Sequence, residues 1–196
     1  MPYAAGLATA LLLSGCGGSV PSTEPATPPL VAQSDSTTVA SSGTPTTSAT
    51  TAVEDPFLAR IPKAARPNTQ AGAEAFAKFF IEQVAASGVK ADASLIDGLY
   101  TESCKTCLNF AATADALEAD GQHHASPSLT ITSATANTFT EDVKEIAVWV
   151  DAKVVHIVNR SGSPVDTTEA GRGAFVLRLA FDWHWQVTRA QVEEAP

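Results

Sequence analysis

The sequence predicts an α+β domain in which helices come first and antiparallel strands follow. Two observations carry this. Between Thr69 and Gly121 the apolar residues recur at helical spacing, and from Leu129 onward they alternate along the chain instead. There is no internal repeat and no sign of a second folded unit. Residues 56–196 are therefore read as one α+β domain, large enough to bury a single core.

The helices are taken in order. Pro56 to Arg66 reads as a transition whose Phe57, Leu58 and Ile61 lie on the domain surface, punctuated by Pro62 and Pro67. Thr69 is a good N-cap, because its hydroxyl can accept from a backbone N–H of the first turn. Ala73, Phe76, Ala77, Phe80, Ile81 and Val84 then form one broad apolar stripe, while Glu74, Lys78 and Glu82 lie four apart on the other side. Ser87-Gly88 is expected to end this helix. Asp92 caps a second, short helix with Leu95, Ile96, Leu99 and Tyr100. Ser103 caps a third with Cys107, Phe110, Ala111, Ala114 and Leu117, stopped at Gly121.

The strands follow. Leu129 to Ala134 alternates weakly. Ile146, Val148, Val150, Ala152 and Val154 alternate clearly with their neighbours, and His156 is in phase with them. Phe175, Leu177, Leu179 and Phe181 make the next strand, opened by Gly171-Arg172-Gly173. The segment Arg160-Ser161-Gly162-Ser163-Pro164 breaks the chain between them. A turn near Asp182 to His184 precedes a final strand at Trp185-Gln186-Val187. This succession packs helices on one face of a curved sheet. In its layout it resembles the NTF2-like, cystatin-like roll, where a long first helix lies in a cone of antiparallel strands; layout fixes no activity.

The start of the chain says where the domain sits. An apolar stretch from Ala4 to Leu13 leads into Ser14-Gly15-Cys16, two small residues and a thiol. Its length suits a signal peptide and falls short of the ~20 residues a membrane span needs. Residues 1–15 are read as a lipoprotein signal, with diacylglycerol on Cys16 after cleavage. Met1 to Gly15 lacks the Lys or Arg that usually opens such a signal, so the true start lies elsewhere or the signal is atypical. The other reading is an unprocessed N-terminus with an accidental cysteine. Residues 16–55 are rich in Ser, Thr, Pro and Ala, with no aromatic residue and no Lys or Arg. Too little apolar area is available there to offset backbone ordering, so a disordered linker is expected. Its r.m.s. span as a flexible chain is on the order of 35 Å.

Composition excludes one class of partner. The net charge is -9 and no basic stretch occurs, whereas nucleic-acid binding needs clustered cations to displace counterions. The same deficit argues against electrostatic attachment to anionic lipid, leaving an acyl chain to hold the protein at a membrane.

Four groups of residues bear on chemistry. Cys104-Lys105-Thr106-Cys107 places two thiols three apart at a helix start, where the helix favours a thiolate. A thiol-disulfide site normally follows a strand, and here a helix and loop precede the pair, so a structural disulfide is the preferred reading. His123-His124 are adjacent, a poor spacing for two imidazoles on one zinc ion, and no metal site is assigned. Asp151, His156 and Arg178 are candidates for a polar pocket inside the cone; neither a carboxylate pair nor a nucleophile–base spacing accompanies them. Trp149, Trp183 and Trp185 are read as core or sheet-packing residues.

From Ile61 onward the chain resembles an uncharacterised family of actinobacterial lipoproteins. The resemblance rests on Ile61-Pro62, on Thr69 to Phe76, on Cys104-Lys105-Thr106-Cys107 and on Trp185-Gln186-Val187. It implies a lipid-anchored, Gram-positive setting and paired cysteines, and it transfers no catalytic residue and no cofactor. The expectation is a lipoprotein on the extracytoplasmic face of the cell membrane whose domain binds a ligand or envelope protein. An envelope enzyme using the cysteine pair or the polar pocket is the alternative, and a passive spacer domain is a third.

Overall fold

The structure, a computed structural model, describes residues 55–194. The signal, Cys16 and most of the linker lie outside the described residues. A short helix α1 (Pro56–Arg60) is capped by Asp55, whose carboxylate accepts from the Phe57 N–H at 2.8 Å. The chain after it does not stay on the surface as the sequence suggested, because Ile61 is fully buried in the core.

Helix α2 (Gln70–Lys90) is the central element. Thr69 caps it as expected, its hydroxyl accepting from Gly72 N at 3.1 Å. The helix runs past Ser87-Gly88, contrary to expectation. Ser87 satisfies its hydroxyl on Val84 O at 2.8 Å, and Gly88 is there for a close approach. A Cβ on Gly88 would lie 2.7 Å from Nδ1 of His124. The true stop is Ala91, which adopts the left-handed conformation at φ 49°.

Asp92 caps only a 3-10 turn (Ala93–Leu95), accepting from Ser94 N at 3.0 Å. The predicted longer helix fails at Gly98, whose φ of 76° no helix continues through. Ile96 and Leu99 are nonetheless fully buried. Helix α3 (Lys105–Asp120) starts one residue later than predicted, with Cys104 as the cap. Ser103 instead pairs with Thr101 at 2.7 Å and donates to Thr188 O at 3.3 Å. Gly121 ends α3 at φ 63°, as its position predicted.

The strands form two antiparallel sheets. The large one runs in the order β2 (Leu129–Phe139), β3 (Lys144–Ala152), β6 (Gly171–Phe181), β7 (Trp185–Glu194). Register shifts at Ile131/Ser133, Ala136/Thr138 and Arg178/Leu179 mark bulges, the devices by which a sheet bends. The small sheet has the order β1 (Gln122–His124), β4 (His156–Asn159), β5 (Pro164–Thr167).

Helices packed on a curved antiparallel sheet make an α+β domain, with the layout the sequence suggested. Phe76, Phe80 and Ile81 of α2 are fully buried against Ile146, Val148, Leu177 and Val187 of the sheet. Trp185 closes the core, and its indole N–H donates to Pro67 O at 3.0 Å. One prediction about the strands needs correction. The strand containing Ile146 ends at Ala152 and does not run through to the Arg160 turn. Lys153–Val155 crosses between the sheets, held by Lys153 N on Ser128 O at 2.8 Å and Val155 N on Thr168 Oγ1 at 3.0 Å. Val154 is therefore exposed, and residues 160–163 are a tight turn between β4 and β5.

Two outcomes follow from this packing. Phe80→Ala will lower the unfolding free energy by about 3–5 kcal/mol in denaturant titrations, since the ring leaves a cavity on all sides. Burial holds His124 below the ordinary histidine pKa, with the neighbouring His123 adding to the effect. The unfolded chain takes up that proton near pH 6.5, while the folded one resists it until lower pH. Stability will therefore fall as pH drops below about 6.5, and His124→Gln will flatten that slope in unfolding curves between about pH 7.5 and 5.5.

Candidate functional site

The three residues singled out for a polar pocket are not brought together. Asp151, in β3, lies on the outer face of the large sheet, where it pairs with Arg172 at 3.2 Å. Arg178 shares that face, directly opposite Glu145 and Arg189 in the two neighbouring strands. His156 does not point into the cone. It is exposed at the start of β4 and opposes Thr167 in β5. The chain had already left the large sheet at Ala152, so the alternation carrying the histidine inward did not apply. Inside the cone, apolar side chains of α2 and the sheet fill the space such a pocket needs.

Cys104 and Cys107 are joined by a disulfide, and both residues are fully buried. Cys104 Sγ also accepts from Cys107 N at 3.3 Å, capping α3. The surroundings show what the bridge does. Thr101 N donates to Val187 O at 3.0 Å, Val187 N donates to Leu99 O at 2.9 Å, and Thr106 Oγ1 donates to Ala190 O at 2.9 Å. The cysteines thus fasten the turn that covers the free edge of β7. Thiol exchange needs an accessible sulfur, and these are enclosed.

His123 and His124 sit in β1 with His124 Nδ1 buried and unbonded beside Gly88. Among the described residues no group of three or more His, Cys, Asp or Glu is placed to hold a metal ion. A hollow of about 510 Å³ beside α3 carries Asp92, Asp97, Asp115 and Glu118 around Tyr100. Burial raises the Tyr100 pKa, and Asp97 and Asp115 raise it further.

The cleft with the character of a ligand site lies between the second half of α2 and the beginning of β2. It encloses about 390 Å³. Ile81, Ala85 and Ala86 form one wall, Leu129 and Ile131 the other, and Pro127 the end. Lys78 and Glu82 stand at the rim as an i,i+4 ion pair at 3.8 Å, both half exposed. Farther along, Glu74 leaves its row of charges and accepts from Ala136 N at 3.0 Å, tying β2 to the helix. Beyond that tie, toward the end of α2 and the start of β2, lies the cleft. Its volume falls in the range of about 300–1,000 Å³ typical of small-ligand sites, and its lining is mostly apolar with few polar groups.

This site was missed because its residues looked like structure. Ala85 and Ala86 are small residues on a helix already assigned to the core, and Leu129 and Ile131 belong to the weakest strand pattern. No local signal marked them, since the same stripe already carries alanines at Ala73 and Ala77. Of the three tryptophans, Trp185 is core and Trp149 lies on the outer face of the large sheet, while Trp183 departs from expectation in a turn at 54% exposure.

A comparison with curated proteins finds no match. Among solved structures, the chain is similar to the intermembrane space region of the chloroplast protein ARC6, with a TM-score of 0.46 and 8% identity over 66% of this chain and 99% of that one. It is also similar to a putative aromatic ring hydroxylase from Novosphingobium aromaticivorans DSM, with a TM-score of 0.43 and 13% identity over 61% of this chain and 87% of that one. The sequence profile of a family of unknown function (DUF6318) matches residues 45–191, most of the chain and nearly all of its folded part, and the chain belongs to that family.

Proposed function

We propose that this chain is an actinobacterial lipoprotein that binds an apolar ligand, or an apolar segment of an envelope protein, outside the cell membrane. Cys16 carries the lipid, residues 16–55 are the tether, and the folded domain is the binding module. The observation that carries the binding reading is the α2–β2 cleft, with Ile81, Ala85, Ala86, Leu129 and Ile131 as its walls. An apolar group placed there leaves water at about 25 cal/mol per Å² of surface buried. Lys78 and Glu82 at the rim offer one donor and one acceptor to orient a polar end. Two features favour binding over turnover: both sulfurs are enclosed, and Asp151, His156 and Arg178 stand apart.

The test uses the environment-sensitive dye anilinonaphthalene sulfonate as an apolar probe. The wild-type chain will enhance its fluorescence saturably. Ala86→Phe, which fills the cleft from a half-buried helix position, will weaken binding about tenfold, equivalent to ~1.4 kcal/mol. No saturable binding, or equal affinity in both chains, overturns the cleft as a ligand site. For the anchor, Cys16→Ser expressed in the host will move the protein out of the membrane fraction or leave it unprocessed. Unchanged fractionation overturns lipidation.

A further inference from the structure

The inner face of the large sheet thins toward one end. Leu129 of β2 stands opposite Ala152 of β3, and Ala152 opposite Gly171 of β6. In the neighbouring row Ile131 faces Val150, and Val150 faces Gly173. Along both rows the side chains shrink to nothing at β6. A Cβ on Gly171 would meet no atom within 4 Å beyond its chain neighbours, so the space above it is open. The result is a second hollow of about 190 Å³, with Val150 and Ala152 on one side and Phe175 and Val192 on the other. Phe175 is braced by Phe110 of α3, ring centroid to ring centroid at 5.9 Å. Leu129 lines this hollow and also the α2–β2 cleft, so the two meet at one side chain. That leucine is only partly buried.

The lining decides what fits. From β2 to β7 the surface crosses three strand spacings, about 14 Å. There β3 and β6 are paired on both sides, so their N–H and C=O groups are used in the ladder. The inward side chains carry no polar atom until Glu194, which stands opposite Gly173 at the far end. A peptide laid across this surface would leave its own amides without partners. A hydrocarbon chain has none to satisfy. Glu193 and Glu194 lie at the far end, while Lys78 and Glu82 lie at the cleft rim, so an anionic head belongs at the rim beside Lys78.

We propose that the cleft and the second hollow are one track for a single extended acyl chain, its head at the Lys78 rim and its tail crossing Leu129 toward β7. This rests on the reading of the cleft as a ligand site and names the class of ligand. A short chain is held by the cleft alone, and a longer one reaches the glycine floor beyond Leu129. Each methylene group that crosses leaves water, and full burial of one is worth about fourfold in affinity.

The probes are octanoate, decanoate, dodecanoate and tetradecanoate, titrated calorimetrically below their micelle concentrations, with lysophosphatidylcholines of the same chain lengths as a second series. Affinity will rise about fivefold or more for each added pair of carbons from octanoate to dodecanoate. A rise in the acids alone assigns a free acid, and a rise in the lysolipids alone assigns a lipid tail. Gly171→Phe, which fills the second hollow, will leave octanoate binding within about twofold and weaken dodecanoate about tenfold or more. Val192→Asp will do the same from the opposite wall. Both positions are exposed, which keeps the variants foldable, and circular dichroism checks this. A rise below about twofold per pair in both series, or equal effects of the two variants on octanoate and dodecanoate, overturns the track. If octanoate and the dye still bind saturably in that event, the cleft stands and only the track falls. If neither binds, both readings fall.

Discussion

The fold depends on one face of α2 being held in the hollow of the large sheet. Phe76, Phe80 and Ile81 fill that hollow from the helix, and Ile146, Val148, Leu177 and Val187 meet them from three strands. The helix is set at the right height by a single carbonyl. Pro67 O takes the Trp185 indole N–H and also lies so close to Gly72 that a Cβ there would be 2.0 Å away. Only a residue without a side chain permits that approach. The start of α2 and the start of β7 are thus joined through the same peptide, and the core closes between them.

From this follows the treatment of the sheet's two edges. An unpaired strand edge invites association with other chains, and proteins cover it. The β7 edge is covered by the Leu99–Thr106 segment, with the Cys104–Cys107 bridge fixing that segment's turn. The β2 edge is tied at Ala136, by the carboxylate of Glu74. Beyond that tie the cleft begins. The two edges of the sheet are thus treated differently, one sealed and one left partly open.

How much of this was legible in the residues varies with the range of the cause. Local chemistry was readable: Thr69 and Asp92 as caps, Gly121 as a stop, the turn before Trp185 and the alternation of Phe175, Leu177 and Leu179. Long-range chemistry was not. Gly88 looks like a helix end unless His124, thirty-six positions on, is known to press on it. His156 looks inward because the alternation before it is clean, and nothing local announces that Lys153–Val155 changes sheets. The proposed cleft was hidden for a related reason, since it is made by what two ordinary elements fail to fill. The cysteine pair was legible as a bridge, while the edge it protects is formed by residues more than eighty positions later.

That last separation governs the order in which the domain can be completed. The turn carrying the cysteines and the N-terminal end of α3 lean on backbone carbonyls of Val187, Thr188 and Ala190, all in the strand made last. Trp185 in the same strand seals the interior. A chain still emerging, or clipped before its final dozen residues, has helices with nothing to rest on and the greasy side of β6 bare. Assembly is therefore withheld until β7 is available to both.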